Sequence, residues 1–159
     1  MTAYHFVRME STLSEIGHVV QECDAILIIV NLSRYYQIDD NQRPRIMNDL
    51  DLYESVITSG LLKNMAIFLI FVQSTTFKED LSTHPLKVYF PDYSGQRAEE
   101  FISAQFEKIQ SRDIVSDSAH RVTYSQWRHP EDARGITNWI YVVVREAKNQ
   151  NMLRSSGLI

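Results

Sequence analysis

Apolar positions along this chain alternate between two kinds of pattern. Residues 24–31 (DAILIIVN) and 66–72 (AIFLIFV) are unbroken apolar runs, the composition of parallel strands buried on both faces. Residues 4–9 and 121–128 carry shorter, weaker strand patterns. Between the strands the spacing turns helical. Ser11, Thr12 and Ser14 are placed to cap a helix through Glu22. Ile46, Met47, Leu50, Tyr53 and Ile57 share one helix face, with Gly60 placed to end it. Ala98, Phe101, Ile102, Gln105, Phe106 and Ile109 mark another helix over 96–110, and Ile136, Trp139, Ile140, Val143, Val144 and Ala147 a long one over 132–153. The polar stretch 33–44 reads as a loop, and the stretch from the second apolar run to His84 and Pro85 as polar and irregular. Strand and helix alternate throughout. That order predicts an α/β domain, with a mostly parallel sheet of about four strands, helices on both faces and right-handed crossovers.

Composition narrows the functional classes. At 159 residues, 44% of them hydrophobic, the chain is long enough for one domain with its own core, read as spanning 1–159. A net charge of −4 supplies no basic field for a phosphate backbone, so no nucleic-acid partner is expected. The single cysteine, Cys23, forbids an intramolecular disulfide framework and points to a reducing, cytoplasmic setting. The apolar runs are too short to span a bilayer and the polar start is no signal peptide, so no intrinsic membrane anchor is expected.

Several stretches, in one colinear order, resemble the C-terminal, Ras-like part of heterotrimeric G-protein alpha subunits. Phe90-Pro91-Asp92-Tyr93-Ser94-Gly95 is similar to that family's Tyr-Pro-Glu-Tyr-Ala-Gly, and Gln105-Phe106-Glu107 to its helical Gln-Phe-Glu. Residues 23–30 resemble its fourth strand, Leu52-Tyr53-Glu54-Ser55-Val56 its third helix, and residues 153–159 its C-terminal tail. The resemblance implies a partial P-loop GTPase fold that begins at the family's third strand, without the first strand and phosphate loop. No Gly-x4-Gly-Lys-Ser/Thr segment occurs in the sequence. The family's segment that senses the γ-phosphate falls on residues 8–12, where Arg8 and Thr12 flank Met-Glu-Ser in place of its glycines and glutamine. Its base-reading Asn-Lys-Lys-Asp falls on Val72, Gln73, Ser74 and Thr75. Its second base loop falls on His129, Pro130, Glu131 and Asp132. The resemblance therefore implies a nucleotide site degenerate at every position.

Independent chemistry is sparse. His5, His18, His84, His120 and His129 lie on separate segments without metal-ligand spacing, so no metal and no cofactor are expected. Cys23 ahead of an apolar strand reads as an inert buried thiol. Ser74, Thr75 and Thr76 read as a hydroxylated turn able to cap a helix, and Asp39, Asp40, Asp49, Asp51 and Glu54 as solvated faces of a loop and a helix.

The function that follows is a non-catalytic pseudo-GTPase acting as a protein-interaction or regulatory module in G-protein signalling. By resemblance, receptor and effector contacts fall on Leu153, Leu158 and Ile159 of the tail and on Leu61 and Leu62. With a central strand missing, the strand carrying Tyr4 and Phe6, or the sheet face beside it, is expected to take a protein partner or a second copy of the chain. A GTPase completed by a phosphate loop from another chain is the alternative reading, opposed by the lost base-reading residues. A small-molecule site at the strand ends, lined by Asn31, Gln73, Ser74 and His129, is a third.

Overall fold

The computed structural model describes residues 25–58, 66–113 and 125–128, with single positions at 141, 142, 145, 156 and 157. Its sheet has the order β1-β2-β3, with β1 at Ala25–Asn31, β2 at Ala66–Val72 and β3 at Ser125–Arg128, all parallel. The register pairs Ile28 with Leu69 and Asn31 with Val72, so β1 and β2 end level. The expected strand over 4–9 lies outside the described residues, as does the helix over 11–22 and most of that over 132–153, of which residues 141, 142 and 145 are described and helical.

β2, the central strand, meets the expectation of burial on both faces, because consecutive Leu69, Ile70 and Phe71 are all buried. β1 meets it on one face only. Ile28 and Val30 point into the core, whereas Ile29 between them is 44% exposed. An aliphatic run in sequence cannot distinguish a strand buried on both faces from one buried on a single face.

Between β1 and β2 lie a 3-10 helix at Leu32–Tyr35 and α1 at Arg45–Thr58; after β2 come α2 at Phe77–Thr83, α3 at Leu86–Tyr89 and α4 at Ala98–Asp113. Two of these correct the sequence reading. The stretch before His84 is not irregular but contains α2, and the loop after β1 opens with the 3-10 helix. Both are too short for apolar periodicity to register, and α2 is held largely by tertiary contacts: Phe77 is buried and Leu81 packs on the core. The rest of the 33–44 segment is organised by Asp39. Its carboxylate accepts bonds from Asn41 N–H and Arg43 N–H, both at 2.9 Å, and from the Asn48 amide at 2.9 Å. Those bonds, the Asn48 one foremost, hold the Asp39 carboxyl below its ordinary pKa.

α1 packs on α4, on the 3-10 helix and on β1. The seam between α1, α4 and the sheet is aromatic: the Phe106 ring lies 5.5 Å from Tyr53 and 5.3 Å from Phe71, tilted or edge-on. A second cluster centres on Tyr35, edge-on to Tyr36, Phe77 and Tyr89. The Tyr35 hydroxyl donates to the His84 carbonyl at 2.7 Å, tying the 3-10 helix to the end of α2. Burial, with the nearby Asp80 carboxylate, pushes the Tyr35 phenol well above its ordinary pKa. Tyr35→Phe is expected to lower stability by about 1 kcal/mol, one net hydrogen bond, read as a shifted urea midpoint at constant slope. In the Pro91 to Gly95 turn, Gly95 has φ +99°, a conformation that side-chain-bearing residues rarely adopt.

The acidic residues also need one correction. Asp40, Asp51 and Glu54 are exposed, but Asp49 is buried within the apolar stripe of α1, where it pairs with Arg34.

Candidate functional site

Open α/β sheets bind ligands outside the carboxyl ends of their strands. Here the level ends of β1 and β2 bring two connections together. After β1, the Asn31 side chain accepts the Ser33 N–H at 3.0 Å and starts the 3-10 helix, which is why the chain turns at once. That turn leaves Ser33 buried and facing the loop after β2. Its hydroxyl lies 2.8 Å from the Ser74 hydroxyl and donates to Asp80 Oδ2 at 3.2 Å. Ser74 Oγ is in turn 3.1 Å from Thr76 Oγ1 and 3.4 Å from Asp80 Oδ2, and Thr76 Oγ1 donates to the same oxygen at 3.2 Å. The hydroxyls of Ser33, Ser74 and Thr76 thus converge on one carboxylate oxygen of α2.

Gln73, between β2 and Ser74, lies near enough to Glu99, in the first turn of α4, to help lower the pKa of that carboxyl. Burial pushes the Glu99 carboxyl up, but bonds from its own N–H, Arg97 and Gln73, with the Arg97 charge, outweigh it and leave the pKa below the ordinary value. The Arg97 guanidinium reaches Glu99 and Glu100, both at 3.0 Å. Beneath the 3-10 helix, Arg34 clasps Asp49 through Nε to Oδ2 at 2.7 Å and Nη2 to Oδ1 at 3.0 Å. Burial nonetheless leaves the Asp49 carboxyl above its ordinary pKa, since it outweighs the opposing effect of Arg34.

Of the residues singled out in the sequence, the structure brings Asn31, Val72, Gln73, Ser74 and Thr75 to this end of the sheet. Val72 closes β2, Thr75 is exposed, and the Asn31 and Ser74 side chains are engaged in bonds within the chain. Arg8, Thr12, His129 and Glu131 lie outside the described residues, as do the interaction candidates Tyr4, Phe6, Leu61, Leu62, Leu153, Leu158 and Ile159, and Cys23. Thr76 stands at the N-cap of α2, as the hydroxylated turn predicts, yet its side chain makes no capping bond. His84 stacks flat on Tyr36 at 4.5 Å. Sequence reading missed Ser33 and Asp80. Thr76 and Asp80 are one helical turn apart, a spacing visible once α2 is known, but Ser33 and Asp80 are 47 positions apart, a pairing that no local pattern announces.

Among the described residues, the bonds of the cluster join hydroxyls to one another and to a carboxylate, which makes it a hydrogen-bonded closure. Among the described residues no group of histidine, cysteine and acidic side chains could hold a metal ion, and no helix is long and apolar enough to cross a membrane.

Comparison with known proteins bears on the same arrangement of level parallel strands and crossover helices. A family model described as G-protein alpha subunit matches residues 12–141. The chain belongs to the G-protein alpha subunit family. Membership implies the P-loop GTPase fold, of which the parallel β1-β2-β3 sheet with its intervening helices is a part. Among curated members, the guanine nucleotide-binding protein alpha-3 subunit of Neurospora crassa is 28% identical over 148 residues, covering 89% of this chain and 39% of the relative. The G(o) subunit alpha of Caenorhabditis elegans is 27% identical over 147 residues, covering 89% and 40%. The alpha-6 subunit of the same organism is 27% identical over 125 residues, covering 71% and 34%. The chain therefore spans about a third to two fifths of the length of these curated alpha subunits.

Proposed function

We propose that this member of the alpha subunit family is a non-catalytic pseudo-GTPase domain that works by binding protein components of G-protein signalling. The observation that carries the reading is the state of the strand-end residues. Val72, Gln73, Ser74 and Thr75 stand where the family resemblance puts an asparagine, two lysines and an aspartate. A base is read by a carboxylate that accepts its ring N–H groups and by a lysine stem packed along it. A glutamine at 73 has no charged stem to pack along the ring, and the Ser74 hydroxyl is engaged with Ser33 and Asp80. With a hydroxyl in place of the carboxylate, the charge-assisted bonds that dominate such recognition are lost. Family membership supports the link to G-protein signalling.

Titration of the protein with a fluorescent guanine nucleotide and magnesium is expected to show no saturable signal into the high micromolar range. Saturable binding at micromolar concentration would overturn the proposal in favour of a working nucleotide site.

A further inference from the structure

At the strand ends, a cap bond is replaced by one to a carboxylate. Thr76-Phe77-Lys78-Glu79 has the sequence of a capping box, in which the Thr76 hydroxyl would accept an N–H of the first turn of α2. The structure does not use it so. Thr76 makes no side-chain capping bond, and its hydroxyl donates instead to Asp80 Oδ2. The same oxygen collects Ser33, delivered from the other connection by the Asn31 turn, with Ser74 bridging both. α2 is seven residues long, too short to persist by its own propensity, so what fastens its first turn decides whether it is ordered.

We propose that Asp80 is an internal ligand: its carboxylate, gathering the Ser33, Ser74 and Thr76 hydroxyls, latches the loop after β2 against the loop after β1 and closes the strand-end crevice from within. A bound molecule ordinarily orders such a crevice by tying its loops together. Here one carboxylate does so, with charge-assisted bonds to side chains from two connections. The fastening at the far end is independent: the Tyr35 hydroxyl on the His84 carbonyl holds the end of α2, whereas in the first turn the Asp80 bonds join the apolar packing of Phe77. Release of Asp80 should therefore open residues 74–80 and the 3-10 helix while β2 and α4 stay closed. The latch deepens the non-catalytic reading, from which it takes the meaning of a crevice that needs no nucleotide, but its test uses none, so the two can fail separately.

The test is amide hydrogen exchange on the full chain without added ligand. Asp80→Ala is expected to speed exchange of residues 74–80 and 32–36 about tenfold or more, with β2 and α4 unchanged. Asp80→Asn, which keeps an acceptor oxygen, should change these rates far less. Unaltered exchange in Asp80→Ala, or acceleration spread equally over β2 and α4, would overturn the latch. If Asp80→Ala does not fold, Ser74→Ala removes the bridging hydroxyl alone and is held to the same two outcomes.

Discussion

Phe106→Ala is expected to cost the domain about 3–5 kcal/mol, the largest effect of any single apolar truncation in the described core. Phe106 is fully buried, and its ring is the common neighbour of Tyr53 on α1 and Phe71 on β2. Removing it takes away the transfer energy of the ring and leaves a hole that neither neighbour can fill. Tyr53 and Phe71 are themselves fully buried and packed, so collapse around the site is limited. The edge-on contact with Phe71 adds about 0.5–1.5 kcal/mol beyond area. Since small domains are stable by only about 5–15 kcal/mol, the variant should lose most of its cooperative transition. Urea unfolding followed by tryptophan fluorescence measures it. A midpoint shift corresponding to under about 1 kcal/mol would mean that α4 does not pack on α1 and β2 as described. Phe106→Leu, which keeps most of the volume, should lose much less.

The second large effect is electrostatic. Arg34→Met should destabilise the domain by about 3–5 kcal/mol, because it leaves the Asp49 carboxylate buried without its partner. Asp49 is 3% exposed and cannot turn to water without unseating α1. Even with the pair intact, burial outweighs Arg34 and holds the Asp49 pKa above its ordinary value, so the carboxylate is already less comfortable folded than unfolded. A double variant, Arg34→Met with Asp49→Leu, is therefore expected to be near neutral or more stable than the parent. The same imbalance fixes the sign of the pH dependence. A carboxyl whose folded pKa is raised binds its proton in the folded state first. Its stabilising contribution is present below the unfolded pKa and lost as pH rises through the folded one. In Arg34→Met the shift grows, so its stability relative to the parent should be regained on acidification from about pH 7 towards 4. Denaturant midpoints measured across that range check it: a deficit independent of pH would show that lost packing of the Arg34 stem, and not the stranded charge, causes the loss.

How far these features were legible in the sequence follows their range along the chain. The helices carrying Tyr53 and Phe106 were readable because apolar residues recur at their own helical period, a local property. The strands Ala25–Asn31 and Ala66–Val72 were readable as apolar runs, within a residue of their ends. Asp49 was misread because acids within a helix, like its neighbours Asp51 and Glu54, are usually solvated. Only the approach of Arg34, from 15 positions earlier, makes a buried place tolerable. α2 was missed because seven residues hold too few turns for a period to show. Of the hydroxyl cluster the sequence pointed to Ser74 and Thr76, as a local turn after a strand, but not to Ser33 and Asp80, which only the fold brings to them.

Taken alone, the sequence determined the alternation of strand and helix, the parallel α/β class and the kinship to G-protein alpha subunits, since each rests on periodicity or on the colinear order of short motifs. The tertiary structure alone decided that β1 is buried on one face only, that Asp49 is an interior charge, and that the hydroxyls at the strand ends close on Asp80. Each of these depends on residues distant in the chain coming within a hydrogen bond or a van der Waals contact. Such proximity is set by the packing of whole elements, to which no local pattern of residues corresponds.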